Sequence, residues 1–408
     1  MRSPMSDARA AEARSVGRAL PILLLVVFIN LVGFGVVIPL LPFFAQSFDA
    51  AAWQITLLFS AYSIGQFFAE PFWGRMSDRI GRKPVLAFTL LANALSYVVL
   101  AFAPDIWSAL LIRLVGGFAS GNISTIQGYI ADITPPERRA GRMGLLGAAF
   151  SLGFIIGPAL GGLLAHPEFG PEGFRVPLFV AAALAAAAGV GVLTVVRESR
   201  RPADPAAPRP GRFEALGDAM AHPVIRRVLL ISLIYMGAFA SMESVFALWA
   251  EHRFGWTPRE VGLNFVVIGL VALVGQGYLA GRAARRFVEA RVLSFGMAVF
   301  GLSQLLQPFV PAAWVVPVVS EVAAFSQSLA LPNSSAMISR STAPDQQGAM
   351  LGLNMAAGSA GRIAGPILGG VLFSVVGPWS PFVAGALLAL LAAFLAVEAG
   401  RRFAAARS

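Results

Sequence analysis

The sequence predicts an all-α membrane protein of twelve spanning helices arranged as two related halves. Three observations predict it: apolar runs long enough to cross a bilayer, a lopsided distribution of basic residues, and an internal repeat of glycine and proline. Of the 408 residues, 57% are hydrophobic and 13% charged, against about 25% charged in an ordinary soluble domain. One helical crossing of a ~30 Å hydrocarbon layer takes about 20 apolar residues. Runs of that length read as spans at 20–44, 54–74, 84–103, 106–132, 143–165, 176–196, 228–250, 260–281, 292–311, 313–338, 347–371 and 379–399.

The chain opens with Arg2, Arg9, Arg14 and Arg18, then enters an apolar Pro/Gly-containing helix with no small-residue cleavage site. That pattern reads as a retained first span and not a leader. An even number of spans puts both termini on one side. Of the 31 Lys and Arg, only Arg175, Arg253 and Arg259 fall on the opposite side, and Arg113 and Arg362 fall within spans. Basic loops mark the cytoplasmic face, so both termini are expected in the cytoplasm of a bacterial-type inner membrane. The net charge of +10 is then a topology signal and no footprint of nucleic acid. With no Cys in the chain, disulfides and thiol chemistry are excluded. His166, His222 and His252 lie in loops or near span ends, so no metal centre is expected.

The repeat divides the chain. Shifting it by 208 residues lays Pro136 on Pro344, Glu137 on Asp345, Gly144 on Gly352 and Gly153 on Gly361. The same shift lays Gly157-Pro158 on Gly365-Pro366 and Gly161-Gly162 on Gly369-Gly370 without a gap. Paired repeats are a common way to build two bundles that rock about a site near the membrane midplane. The expected organisation is a tail over 1–19, a six-helix bundle over 20–196, a linker over 197–227, a second bundle over 228–399 and a tail over 400–408. The linker is rich in Arg and Pro and is expected to end in a short interfacial helix at Phe213–Met220.

Three motifs stand out. Gly74, Asp78, Arg79, Gly81, Arg82, Lys83 and Pro84 form a tight, basic turn between the second and third spans, and Gly281-Arg282 to Arg285-Arg286 is a weaker copy after the eighth. The fifth span carries Gly144, Gly147, Gly153, Gly157, Pro158, Gly161 and Gly162, small residues at helical spacing that let two backbones approach. The first span carries Asn30, Gly33, Gly35, Pro39 and Pro42, and the fourth ends in Tyr129-Ile-Ala-Asp132-Ile-Thr134.

The turn resembles the signature loop of the major facilitator superfamily, and the fifth span resembles the signature of that family's drug/proton antiporters. Over nearly its whole length the chain is similar to the tetracycline-efflux branch and its multidrug relatives. The resemblance implies the twelve-helix major facilitator fold, a monomer, and a latch that stabilises the outward-facing state. In that latch Asp78 faces the start of the eleventh helix and Arg82 pairs with Asp132. It also implies a cavity lined by the first, fourth, seventh and tenth helices. Asn30 and Ser96 stand where tetracycline exporters carry intramembrane Asp, which argues against tetracycline as the substrate.

Ionisable groups within a bilayer are costly and point to function. Six stand out: Glu70, Arg113, Asp132, Glu243, Glu321 and Arg362. The 208-residue shift makes Arg113 and Glu321 equivalent, and Glu243 lies on the seventh span. At ~1.5 Å per residue all three sit in the outer half. Either Glu243 or Glu321 is expected to carry a proton with Arg113 as its electrostatic partner; the alternative is a fixed structural ion pair. Glu70, just before Pro71, either meets a cationic substrate or caps a local kink, and Arg362 is expected to bond freed carbonyls or a facing polar group. Candidate cavity residues are Phe150, Phe154, Met242, Phe246, Trp249 and Phe325 as walls, with Asn30, Gln127, Asn264 and Gln304 as polar anchors. Apolar walls with few polar anchors suit amphipathic molecules.

No Gly-Lys-Thr phosphate loop is present, so ATP is not the expected drive. No catalytic constellation or cofactor motif appears, so an enzyme is not expected. The leading expectation is a proton-coupled exporter of hydrophobic or amphipathic small molecules, with substrate, protons and lipid as its partners. The alternative is the same fold exporting one metabolite, sugar or siderophore. A membrane sensor or a channel ranks below both, for want of an output domain or a pore-lining polar ring.

Overall fold

The computed structural model describes residues 4–199, 212–274, 288–343 and 346–405, and all regular structure among them is helical. The weaker copy at Gly281–Arg286, most of the expected linker, and the repeat pair Pro344 and Asp345 lie outside the described residues. In chain order the helices are α1 (Pro4–Gln46), α2 (Ala52–Ile80), α3 (Arg82–Leu100), α4 (Ile106–Ala119), α5 (Ile123–Asp132), α6 (Pro136–Leu164) and α7 (Arg175–Val195). Then follow α8 (Arg212–Ala221), α9 (Pro223–Phe254), α10 (Pro258–Val274), α11 (Glu289–Leu306), α12 (Val315–Arg340), α13 (Gln347–Val375) and α14 (Ser380–Ala405). Among the described residues nine stretches are long and apolar enough to cross a membrane. The expected second, eighth and tenth spans fall on α2, α10 and α12. Gln54, Gln66, Glu70 and Arg75 make α2 more polar, and α12 contributes a shorter apolar stretch at Val315–Ser326 among the described residues.

The fourth span departs from the expectation of one unbroken helix: it splits into α4 and α5 around Ser120–Asn122. Gly116, Gly117 and Gly121 weaken the helix here. A Cβ on Gly117 or Gly121 would collide with α2, at the Tyr62 carbonyl or at Ala69. The fresh helix start at α5 leaves N–H groups to satisfy. The Glu70 carboxylate satisfies two of them, accepting from the backbone N–H of Ile123 at 3.2 Å and of Ser124 at 2.9 Å.

Helix neighbours repeat between the halves. α1 packs on α6 and α7, α3 on α7 and α4, and α2 on α4. Moving six spans along the chain reproduces each pair: α9 packs on α13 and α14, α11 on α14 and α12, and α10 on α12. Contacts between halves repeat too, α6 with α10 and α13 with α2. Gly153, Gly157 and Gly161 of α6 abut Leu31, Val32, Gly35 and Val36 of α1, while Gly361, Gly365 and Gly369 of α13 abut Leu233, Gly237 and Ser241 of α9.

The core divides by depth. At the end away from the termini, one buried cluster joins both halves, with Leu40, Phe44, Ile55 and Leu58 from the first and Phe246, Trp249, Val261 and Phe382 from the second. At the end bearing the termini there are two separate clusters, one from Leu20 to Val196 and one from Ala219 to Ala399. The halves are thus closed together at the far end and parted at the near end. A Cβ on Gly141, Gly144, Gly147, Gly348 or Gly352 would meet nothing within 4 Å. Gly144 therefore does not share the close packing expected of it, because the near-end stretch of α6 faces open space.

Candidate functional site

Between the halves, above the parted near end, lies a cavity walled by α1, α2, α4, α9 and α13. Its lining includes Phe34, Ile38, Phe59, Tyr62, Ser63, Arg113, Ala240, Glu243, Arg362 and Pro366. In this conformation it holds about 20 Å³, room for roughly one water molecule. Three of the ionisable residues singled out in the sequence meet here. Arg362 Nη2 lies 3.6 Å from Glu243 Oε2, an ion pair between α13 and α9 with the Glu243 side chain only 6% exposed. Arg113 enters from the other half. Its guanidinium carbon lies 4.1 Å from the centre of the Tyr62 ring, a cation–π contact worth about 2 kcal/mol when desolvated. The Arg113 Nε is buried with no hydrogen-bond partner among the described residues. The Tyr62 hydroxyl and Ser120 Oγ share a hydrogen bond of 2.5 Å, which ties the Arg113 platform to the break between α4 and α5.

This arrangement corrects the expected pairing. Arg113 is not the ion partner of Glu243; Arg362 is, because α9 and α13 pack closely through Gly237, Gly361 and Gly365. Glu321, on α12, is not in the lining, and both its oxygens are buried without a hydrogen-bond partner among the described residues. The walls also differ from those expected, since α2 and α13 contribute and, among the described residues, the tenth span does not.

The substrate candidates scatter. Phe246 and Trp249 belong to the aromatic plug at the closed end, their rings 6.0 Å apart, with Trp249 packed 5.4 Å from Phe382. Met242 packs against the same cluster, and Phe150 against the near-end cluster of the first half. Phe154 meets the cavity only through Phe34, ring centres 6.1 Å apart. Asn30 Oδ1, both amide atoms of Asn264, and Gln304 Nε2 are buried without hydrogen-bond partners among the described residues; Gln127 and Phe325 are half-buried. None of these lines the cavity. Glu70 is engaged as the α5 cap.

At the near end a charge cluster surrounds the signature turn. Arg82, itself buried, donates from Nε to Asp132 Oδ2 at 3.0 Å and from Nη1 to Ser77 Oγ at 2.6 Å. Its Nη2 lies 2.9 Å from Asp78 Oδ1. Gly81 has φ +106°, a conformation that favours glycine. A Cβ there would strike the Glu198 carboxylate, which accepts from the backbone N–H of Arg82 at 2.8 Å and of Lys83 at 3.0 Å. Glu198 therefore caps α3 from beyond the end of α7. Gly74 abuts Ser124, and Arg79 is exposed. The sequence reading missed Tyr62, Ser120 and Glu198. A tyrosine hydroxyl inside an apolar run demands a buried partner and was the available signal for the first two. Glu198 gives no local signal, since the α3 N–H groups it caps are 116 and 115 residues away in the chain.

Comparison with known proteins fits this architecture. Residues 23–276 and 228–402 match the family described as the Major Facilitator Superfamily. The chain is 30% identical over 359 residues to multidrug resistance protein 2 of Bacillus subtilis, covering 87% of this chain and 88% of the relative. It is 30% identical over 360 residues to the class B tetracycline resistance protein of Escherichia coli, covering 86% and 88%. Among solved structures, a bacterial homologue of the human lysosomal transporter Spinster, inward-facing and occupied, aligns with TM-score 0.75 at 16% identity, over 94% of this chain and 97% of that one. The human organic anion transporter MFSD10 aligns with TM-score 0.69 at 24% identity, over 93% and 99%. The matched sequence, the all-helical fold and the repeated helix neighbours together place the chain in the Major Facilitator Superfamily, as one of its membrane transporters.

Proposed function

We propose that this transporter is a proton-coupled exporter of hydrophobic or amphipathic small molecules, working as a monomer in a bacterial-type inner membrane with both termini in the cytoplasm. The observation that carries the reading is the contrast between the ends: one shared core at the far end, two parted cores at the near end, and a charged cavity between them. With the termini in the cytoplasm, this is an inward-facing arrangement. Alternating access then requires the near ends to close while the far-end cluster parts. The relatives named for multidrug and tetracycline resistance support export as the direction.

The proton step is assigned to the Glu243–Arg362 pair. Neutralising Glu243 removes the attraction that holds Arg362 and changes the charge facing Arg113 across the cavity. Glu321, with both carboxylate oxygens buried and without a hydrogen-bond partner among the described residues, is the second candidate carrier. Proteoliposomes with an imposed pH gradient test the assignment, with dye transport compared between wild type, Glu243→Gln and Glu321→Gln. Loss of gradient-driven transport in one variant, with gradient-free exchange retained, is expected. Full coupling in both variants overturns the proposal.

A further inference from the structure

We propose that the far-end mouth between the halves is a binding site for amphipathic organic cations, and that a bound cation holds the outer-closed arrangement in place. A cavity of about 400 Å³ opens there, within the range that takes a small organic molecule. Its walls come from both halves: Gln46 and Ile55 from the first, Leu248, Glu251, His252 and Phe373 from the second. Among the described residues Glu251 is the only carboxylate in the lining. Its Oε2 accepts a 2.5 Å hydrogen bond from Gln46 Nε2, which joins the end of α1 to the end of α9. Its Oε1 has no hydrogen-bond partner among the described residues, so it can face a ligand while that bond persists.

The chemistry selects the class. One carboxylate with Gln46 and His252 as polar neighbours, set beside the apolar Ile55, Leu248 and Phe373, favours a cation with a hydrophobic body, and the Phe373 ring adds a face of the kind cations seek. The central cavity has the opposite bias, with two guanidiniums and one carboxylate in its lining. A ligand that touches both walls binds only while the far ends meet. Such a ligand shifts the population toward that state by its differential affinity. The side from which the cation arrives rests on the topology proposed above; the binding itself does not.

The test uses the purified full-length chain without a gradient and two probes of nearly equal shape and opposite charge. Tetraphenylphosphonium is expected to raise the melting temperature, and tetraphenylborate is not. Glu251→Gln keeps an acceptor for Gln46 and is expected to weaken tetraphenylphosphonium binding at least tenfold. Equal shifts with both probes, no shift with either, or wild-type affinity in Glu251→Gln overturns the proposal. The comparison of probes on wild type stands even where the variant folds poorly. Loss of proton coupling in Glu243→Gln with this binding intact separates the present inference from the proton assignment.

Discussion

The glycines of α6 offer a paired perturbation in which one helix gives two opposite outcomes. A Cβ at Gly157 would stand 2.5 Å from the Val32 carbonyl oxygen and 2.6 Å from Gly35 Cα, backbone atoms of α1 that cannot rotate away. Ordinary van der Waals contact needs about 3.4 Å or more, so Gly157→Ala must push α1 and α6 apart by roughly 1 Å. Overpacking of this kind costs about 1–3 kcal/mol. At Gly144 an added methyl meets nothing within 4 Å, and the better helix propensity of alanine contributes about 1 kcal/mol in the other direction. Denaturant titration of the detergent-solubilised protein, followed by tryptophan fluorescence, is expected to show Gly157→Ala destabilised and Gly144→Ala unchanged or stabilised. Equal losses at both positions would refute the argument that the near-end stretch of α6 is unpacked in this state. A larger side chain at Gly144 is expected to leave stability intact yet slow transport, because closing the near end brings that surface against the other half.

The remaining predictions concern single contacts. Arg82→Ala is expected to cost about 2–3 kcal/mol, less than the full penalty for breaking a buried pair, because the Asp78 and Asp132 side chains are 23% and 27% exposed. Arg82→Lys should recover only part of it, since one ammonium cannot serve all three partners; thermal denaturation with and without salt reads both. Glu70→Ala is expected to cost about 1–2 kcal/mol as a lost cap, with Glu70→Gln milder and the transported-compound profile unchanged in both. A changed profile in Glu70→Gln would return Glu70 to the substrate path. Gln46→Ala removes a hydrogen bond to a charged acceptor, about 1.5–3 kcal/mol, from the closed far end. It should therefore slow labelling of a cysteine placed at Gly144. The native chain has no Cys, so that label is unique, and an unchanged rate counts against the Gln46–Glu251 bond as a gate.

Much of the fold was legible because a bilayer leaves few options. Apolar length gave the spans, and the 208-residue register of Gly157-Pro158 and Gly365-Pro366 anticipated that α6 and α13 pack alike on α1 and α9. The break at Ser120–Asn122 was not legible: glycines in a membrane helix signal close packing as readily as interruption, and the deciding contact is the Glu70 carboxylate on another helix. The pairing of charges was equally hidden. Sequence placed Arg113, Glu243 and Arg362 at usable depths, but which guanidinium reaches Glu243 depends on how α9 and α13 turn about their shared glycines. Aromatic residues misled most, because Phe246 and Trp249 obey the same apolar rule whether they line a cavity or seal an end.

Beside the side-chain cluster of the far end, part of the seam between the halves runs through main chain. Gly162 abuts the Pro258 carbonyl, Gly262 the Pro158 carbonyl, and Gly370 the first turn of α2 at Trp53 and Thr56, while Ser60 Oγ donates to the Ile363 carbonyl at 2.7 Å. Peptide groups keep the same shape whatever side chains flank them. So long as the small residues stay, Phe34 and Ile38 can be exchanged without altering the main-chain bearing on which the bundles turn. What is carried and how the carrier moves can therefore diverge independently, and one rocking scaffold can be refitted to new cargo by a few wall substitutions.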